Sequence, residues 1–257
     1  MFGAVRNCRA AFTLIELLAV LAVVAVLVAL VFPTAAGILE SGRAVKCLQH
    51  LRQIGVGLIA WSGENNGEFL ASAYGGTTVP TANGGASKWM DAIFPYVRDE
   101  RVFLCPADAG ARYRYAGHLA AGESSTDYGS YGMNGAYRNA GDAQTPPRSA
   151  GTSVVYRAQA AEPAGTVWVA DTANRQESNG SFGFTWADVA SHPARMAGPP
   201  RQLDKLIERH RGRVNVLFCD GHVEPQRLET LMEPRTVVDP VDGAVKSVWF
   251  RMTLERD

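Results

Sequence analysis

The sequence predicts an α+β protein in which a long N-terminal membrane-spanning helix packs on a loop-rich antiparallel β-sheet domain. Two observations predict the helix: an uncharged run from Leu17 to Phe32 and, after Pro33, apolar residues at every third or fourth position. Short alternating segments between glycine- and proline-rich stretches predict the strands. With 257 residues, the chain can hold one sizeable domain besides the helix.

The N-terminal run predicts a membrane helix at about 12–33, because its length approaches a hydrocarbon core of ~30 Å. Arg6 and Arg9 precede the run without an acid, so the N-terminus is expected in the cytoplasm and the later residues outside the inner membrane. A cleaved signal peptide ending near 34–37 and a plain uncleaved anchor are alternatives. Glu16 is out of place in both, because an ionisable residue is costly within an apolar span.

A second apolar stripe follows Pro33. We expect one helix from residue 12 to about 61, with Pro33 kinking or locally loosening it. A separate amphipathic helix after a linker is the alternative. The predicted divisions are residues 1–11, 12–62 and 63–257. The stripe consists of Val45, Leu48, Leu51, Ile54, Leu58 and Trp61.

The stretch "AFTLIELLAVLAVVAVLVALVFP" resembles the N-terminus of type IV prepilins and type II secretion pseudopilins. In that family a basic leader is removed before the apolar run, and the new first residue is N-methylated. A glutamate stands four residues after that residue, and often a proline twenty-one residues after it. With Phe12 first, these positions are Glu16 and Pro33. The resemblance implies cleavage by a prepilin peptidase between Ala11 and Phe12, although the family usually has glycine where this chain has Ala11.

The resemblance also implies a structural role. Subunits of this family assemble through their N-terminal helices into filaments of type II secretion or type IV pilus machines. Glu16 would meet the Phe12 ammonium of a neighbouring subunit, so that two buried charges cancel on assembly. The implied partners are prepilin peptidase, other pilin-like subunits and the bacterial inner membrane, with the C-terminal domain in the periplasm.

Three later segments, at 47–70, 89–108 and 128–137, resemble a bacterial pseudopilin-like subfamily. Its C-terminal domain is named for a histidine, nine residues and Asp-Gly. This chain has that H-X9-DG pattern at 210–221, with the motif residues His210, Asp220 and Gly221.

The motif reads first as a hairpin. Alternation from Val214 to Phe218, followed by Asp-Gly, predicts a type I′ turn in which Cys219 faces His222. A metal-dependent enzyme centred on His210, Asp220 and His222 is the alternative. An extended strand would separate His210 from Asp220 by up to ~33 Å, which argues against a shared metal.

The cysteines predict no zinc ribbon or thioredoxin-like site, because they form no C-x-x-C pair. Cys47 and Cys105 lie in the exported part and in two of the segments that carry the resemblance, which makes them a candidate disulfide, with two separate thiols as the alternative. Cys8 belongs to the leader. Cys219 is expected to stay outside a disulfide as a buried thiol.

Calcium is the one candidate cofactor. Asp171 ends the predicted strand "GTVWVADT", and bound Ca²⁺, as in the major pseudopilins that the N-terminus resembles, is an alternative to no cofactor, with Asp171 and Asp220 as candidate ligands. No EF-hand loop is present. His50, His118 and His192 lack metal-ligand spacing and are expected at the surface.

Several classes of function are disfavoured. Lysine plus arginine and aspartate plus glutamate number 25 each, so no nucleic acid partner is expected. The sequence has no G-x-S-x-G, H-E-x-x-H or phosphate-binding glycine loop, and we expect that the protein is not an enzyme.

A membrane-tethered module that binds a glycan or polypeptide, and uses the prepilin signal only for export, is the remaining alternative. It predicts an exposed aromatic platform, whereas a structural domain would bury most of its tryptophans. The tryptophans are Trp61, Trp89, Trp168, Trp186 and Trp249.

The other elements are predicted from local patterns. Strands are expected near 153–159, 166–171, 213–219, 222–226 and 245–252, and a short helix near 201–209. Irregular stretches are expected at 72–87, 107–150 and 172–200.

Overall fold

The computed structural model describes ten ranges of the chain. It describes the backbone alone at 31–36, 73–74, 87, 183–184, 202–203, 232, 234–238 and 245–249. Ala11, Phe12 and the strand predicted near 153–159 lie outside the described residues. The described ranges are 13–70, 73–74, 87–120, 127–134, 163–173, 183–184, 202–203, 206–232, 234–238 and 245–249.

The described chain is α+β, which confirms the predicted fold class. Its helices are α1 (Leu14–Glu64), α2 (Trp89–Val97) and α3 (Leu228–Met232), with 3₁₀ turns at Glu100–Phe103 and Ala116–His118. Its strands are β1 (Ala73–Tyr74), β2 (Ser87–Lys88), β3 (Tyr131–Asn134), β4 (Val167–Asp171), β5 (Gly183–Phe184), β6 (Gln202–Leu203), β7 (Leu206–Ile207), β8 (Val214–Phe218), β9 (Val223–Gln226), β10 (Pro234–Val238) and β11 (Val245–Trp249).

One uninterrupted helix, α1, contains both apolar stripes that the sequence predicts. The alternative of a linker after Pro33 is wrong, because the backbone stays helical there. Pro33 has no N–H and cannot donate to the helix ladder, yet it does not end α1. The chain divides into two compact units, Met1–Gly42 and Arg43–Asp257.

The first unit exposes large apolar side chains along α1 from Leu14 to Leu30, where Leu21, for example, is 60% exposed. Within the described part of the chain, no helix has both the length and the apolar character that crossing a membrane requires. The membrane span predicted at about 12–33 therefore stays a prediction.

The second unit is built on α1 from Arg43 onward. Leu51, Ile54 and Leu58 are fully buried, whereas Val56 on the same helix is 69% exposed. The buried stripe belongs to one hydrophobic cluster with residues of α2, β4 and β8. Its members from these elements include Trp89, Ile93, Trp168, Val169 and Leu217.

Two glycines bring α1 close to its neighbours. A Cβ added to Gly55 would lie 2.9 Å from the Cδ1 atom of Leu217 in β8. A Cβ added to Gly57 would lie 2.9 Å from the Cγ2 atom of Val97 in α2. Glycine destabilises a helix interior by roughly 0.5–1 kcal/mol relative to alanine, so this close packing gives both residues a structural reason.

The main sheet has five strands in the order β5-β3-β4-β8-β9. Its pairs are antiparallel except for β3 with β5, which are parallel. Three separate two-stranded ribbons are β1 with β2, β6 with β7, and β10 with β11. Val169 and Leu217 of this sheet belong to the same hydrophobic cluster as the buried residues of α1. Helix α1 therefore packs against one face of a largely antiparallel sheet.

Some local predictions are correct and others are wrong. β4, β8, β9 and β11 lie within or close to the predicted strands. The helix predicted near 201–209 is wrong, because 202–203 and 206–207 form the short antiparallel ribbon of β6 and β7. β3 lies inside a stretch predicted to be irregular. Helix α2 was not predicted from the sequence.

Truncating the buried stripe of α1 should destabilise the second unit far more than truncating its exposed side. Leu58→Ala is expected to lower the free energy of unfolding by about 2–5 kcal/mol, because it leaves a cavity in the core. The matched variant Val56→Ala should change that free energy by less than about 0.5 kcal/mol. Urea unfolding of the full chain in detergent measures both values. Equal effects would contradict the packing described here.

Candidate functional site

The N-terminal end of α1 contains a reciprocal cap. The Glu16 Oε2 atom accepts hydrogen bonds from the backbone N–H and the hydroxyl of Thr13, both at 2.9 Å. The Glu16 N–H in turn donates to the Thr13 hydroxyl oxygen at 3.4 Å. This is a capping box of the Thr-x-x-Glu type, in which the side chains satisfy backbone donors at the helix start. The Thr-x-x-Glu spacing of this box is visible in the sequence.

The Cys47–Cys105 disulfide joins α1 to the segment after the first 3₁₀ turn. The two Cα atoms are 5.3 Å apart, and the bridge closes a loop between positions 58 residues apart. In the chain-entropy model, a disulfide that closes a loop of this length stabilises the folded state by about 4 kcal/mol. Beside it, His50 is only 7% exposed and its Nδ1 atom lies 2.9 Å from the Leu104 carbonyl oxygen. The expectation of a surface position for His50 is therefore wrong.

The H-X9-DG motif forms a turn, a strand and a second turn. His210 and Arg213 exchange two backbone hydrogen bonds, and Arg211 and Gly212 between them have φ values of 53° and 69°. Positive φ at both central residues is the signature of a type I′ hairpin turn. Strand β8 follows, and Asp220 and Gly221 lie at its other end. The nine residues between His210 and Asp220 therefore comprise the rest of the first turn, strand β8 and Cys219, the first residue of the second turn.

The second turn differs from the one predicted. The Gly221 N–H donates to the Phe218 carbonyl, and the Phe218 N–H donates to the His222 carbonyl, so the loop has three residues. Gly221 has a φ of 99°, which fits a type I turn followed by a glycine bulge. The prediction of a type I′ turn is wrong here, and Phe218, not Cys219, faces His222.

The structure does not bring the motif residues together. His210 lies before β8, whereas Asp220 and His222 are exposed beyond its other end, with the Asp220 Oδ1 atom 2.6 Å from the His222 Nδ1 atom. The two candidate calcium ligands are also separated. Asp171 binds the N–H of Asn215 near the start of β8, and Asp220 lies past its end.

A buried polar cluster surrounds His210. We define it as Asp108, Tyr131, Asp171, Arg209, His210 and Asn215. The Arg209 Nη2 atom lies 2.8 Å from the Asp108 Oδ2 atom, and their side chains are 5% and 0% exposed. Arg209 also donates to the Thr172 carbonyl at 2.9 Å. Hydrogen-bonded ion pairs are the usual way in which proteins accommodate buried charges.

The sheet register assembles this cluster. Tyr131 of β3 pairs with Asp171 of β4, and Ala170 pairs with Val216 of β8. Ser130 completes the arrangement, because its hydroxyl accepts the Cys105 N–H at 2.9 Å. The disulfide is thereby held next to the ends of β3 and β4, and the His210 Nε2 atom lies 3.2 Å from the Cys105 Sγ atom.

Two titratable groups of the cluster favour their neutral forms. Burial raises the pKa of Asp171 to about 7, although the Arg209 guanidinium and the Asn215 N–H act in the opposite direction. Burial lowers the pKa of His210 to about 4, and the nearby Arg209 charge adds to this shift. The His210 Nε2 atom is 3.9 Å from the Asp171 Oδ2 atom. The cluster therefore holds one strong ion pair and two groups that are largely neutral in mildly acidic solution.

Several buried polar atoms of the cluster have no hydrogen-bond partner among the described residues. They are Asp171 Oδ1, His210 Nδ1, Tyr131 Oη and both side-chain polar atoms of Asn215. Most buried polar atoms in proteins are paired, so an accumulation at one place marks a candidate ligand site. Sequence reasoning identified Asp171 and His210 but not the other members, because their proximity depends on long-range register.

The tryptophans whose side chains are described are buried. Trp89 and Trp168 are 0% exposed and Trp61 is 6% exposed. Trp186 lies outside the described residues, as does the side chain of Trp249. No exposed tryptophan is present among the described side chains.

The comparisons with known proteins concern the N-terminal segment. Residues 6–32 match the model of the prokaryotic N-terminal methylation motif. This segment is a prepilin-type cleavage and methylation domain. The match includes Ala11, Phe12 and the Thr13–Glu16 capping box and ends just before Pro33. No curated protein and no solved structure matches the chain significantly.

The protonation states of Asp171 and His210 predict opposite effects of pH on stability. Folded Asp171 keeps its proton up to about pH 7, whereas the unfolded group loses it near 3.8, so this term falls as pH rises between those values. Folded His210 stays neutral down to about pH 4, whereas the unfolded group is protonated below 6.5, so this term rises as pH rises. In the wild type the two terms largely cancel.

Single variants should separate them. Between about pH 4.5 and 6.5, the free energy of unfolding should rise with pH in Asp171→Asn and fall with pH in His210→Gln, by up to about 1.4 kcal/mol per pH unit. Urea unfolding at several pH values measures these slopes. Identical pH profiles of the two variants would contradict the assignment.

Proposed function

We propose that the protein is a pilin- or pseudopilin-like structural subunit. Prepilin peptidase cleaves it between Ala11 and Phe12, Phe12 is N-methylated, and the mature chain assembles through α1 into a filament of a type II secretion or type IV pilus machine. The observation that carries the proposal is the methylation motif at residues 6–32, with Glu16 four residues after Phe12. The protein is on this account a substrate of enzymes and not itself one.

The apolar surface of the first unit supports a role in lipid and in assembly. Large apolar side chains are exposed along α1 from Leu14 to Leu30. Apolar surface of this extent is usually covered by a membrane or by another protein. We propose that inner-membrane lipid covers it before assembly and that neighbouring subunits cover it in the filament.

The Thr13–Glu16 box supports a specific form of the assembly contact. Both hydrogen bonds from Thr13 reach the Oε2 atom of Glu16. A carboxylate has two acceptor oxygens, so Oε1 can accept from the Phe12 ammonium of a neighbouring subunit while the cap persists. Away from water, such a charge pair is far more favourable than either charge alone.

The second unit supports export to the periplasm, with the N-terminus left in the cytoplasm. Its Cys47–Cys105 disulfide is of a kind that persists in oxidising compartments and is rare in the cytosol. The positive charges of Arg6 and Arg9 favour the same orientation.

Glu16→Gln separates the charge of Glu16 from its capping role. Glutamine can still cap a helix, but it cannot neutralise an ammonium. We expect cleavage to be unchanged and cross-linked oligomers in membranes to decrease at least about tenfold, which corresponds to about 1.4 kcal/mol of lost pairing. Glu16→Ala should behave in the same way.

Thr13→Ala is the matched control, because it removes the two hydroxyl hydrogen bonds of the capping box and keeps the Glu16 carboxylate. It should retain most of the wild-type assembly. Oligomers are quantified after chemical cross-linking, and cleavage is followed by the mass of the chain. Normal assembly of Glu16→Gln together with loss of assembly in Thr13→Ala would overturn the pairing role and leave only a helix cap.

A further inference from the structure

The His210 side chain lies beside the disulfide, and its structural contacts leave one ring nitrogen without a hydrogen bond in the described part of the chain. The Nε2 atom of His210 lies 3.2 Å from the Cys105 Sγ atom. A disulfide sulfur is a weak hydrogen-bond acceptor. The other ring nitrogen, Nδ1, has no hydrogen-bond partner among the described residues although His210 is 4% exposed. A buried imidazole is thus aimed at two sulfur atoms.

The three side chains have the geometry of a metal ligand set. The Sγ atoms of Cys47 and Cys105 and one nitrogen of His210 all lie within 4.8 Å of one another. They come from α1, from the segment after Phe103 and from the turn before β8. In a tetrahedral zinc site with Zn–S bonds of about 2.3 Å, two sulfur ligands lie roughly 3.8 Å apart. Breaking the disulfide would allow this separation through a small side-chain rotation.

A buried carboxylate lies beside this ligand set but is not part of it. The Asp171 Oδ2 atom is 3.9 Å from the His210 Nε2 atom, and Asp171 is 0% exposed. Two thiolates and one imidazole form a donor set that suits zinc, and three protein ligands leave the fourth tetrahedral position to water.

We propose that the dithiol form of the protein binds one thiophilic divalent ion, such as Zn²⁺, through Cys47, Cys105 and His210. A dithiol reductant converts the protein disulfide into two thiols and is itself oxidised to a disulfide. The ion then binds as the two thiols release two protons, and the thiolates offset its charge. The metal and the disulfide are alternative staples between the same elements, one for each oxidation state.

The test uses Co²⁺ as a spectroscopic probe on the full-length protein in detergent, reduced with a phosphine under anaerobic conditions. The proposal predicts one Co²⁺ per chain, a thiolate-to-cobalt charge-transfer band and intense visible bands of tetrahedral Co²⁺. Excess Zn²⁺ should abolish these bands. The oxidised protein should show none of them, because its sulfurs are joined.

Variants assign the ligands. His210→Gln should weaken Co²⁺ binding at least about tenfold, because it removes one of the three ligands. The matched controls are His222→Gln, at the exposed far end of β8, and Cys219→Ala, which removes the exported thiol outside the disulfide. Both controls should leave the bands unchanged.

The fold is monitored by circular dichroism in the same samples. If reduction loosens the fold, the ion should restore it, because metal binding and folding are linked. Absence of the bands with both thiols titratable would overturn the proposal. So would bands that persist in His210→Gln or that disappear in Cys219→Ala.

Discussion

The burial of one face of α1 against the sheet is the contact on which the second unit depends. Leu51, Ile54 and Leu58 lose all solvent exposure there, and the Gly55 and Gly57 positions let β8 and α2 approach the helix closely. The Cys47–Cys105 disulfide fixes the same helix to the segment after the first 3₁₀ turn. Because Ser130 is hydrogen-bonded to this segment and to Thr172, the disulfide lies near the start of β3 and the end of β4. The core, the disulfide and the polar cluster are therefore consequences of one packing arrangement.

The buried polar cluster is the most unusual feature of the second unit. Arg209 has Asp108 as its ion-pair partner, and Asp171 lies in the same buried region. Burial disfavours a second unbalanced charge, which explains why Asp171 tends to keep its proton and why His210 stays neutral. Polar groups of this kind are costly in a core. One of them, His210, lies beside the two cysteine sulfurs of the disulfide.

Features that local residue patterns encode were predictable from the sequence, whereas features that depend on the pairing register of the strands were not. The apolar spacing predicted α1, and valine-rich alternation predicted β4 and β8. The strand "YGMN" contains a glycine and no β-branched residue, so local propensity did not reveal β3. The Asp-Gly pair predicted a hairpin, but the turn type was wrong because Phe218 pairs with His222. The contact of Arg209 with Asp108 joins residues far apart in the chain, and no local pattern encodes it. The spacing of Thr13 and Glu16, which form the capping box at the start of α1, is also visible in the sequence.

We propose that the N-terminal segment is a processing site followed by an assembly helix. The mass of the mature chain tests this proposal most directly. In a host with an active prepilin peptidase, intact-mass and fragment spectra should show a chain that begins at Phe12 and carries one methyl group on its amine. The same gene in a peptidase-deficient host should yield a chain that still contains residues 1–11. A mature chain that begins near Gly37, or one that stays uncleaved beside an active peptidase, would contradict the account.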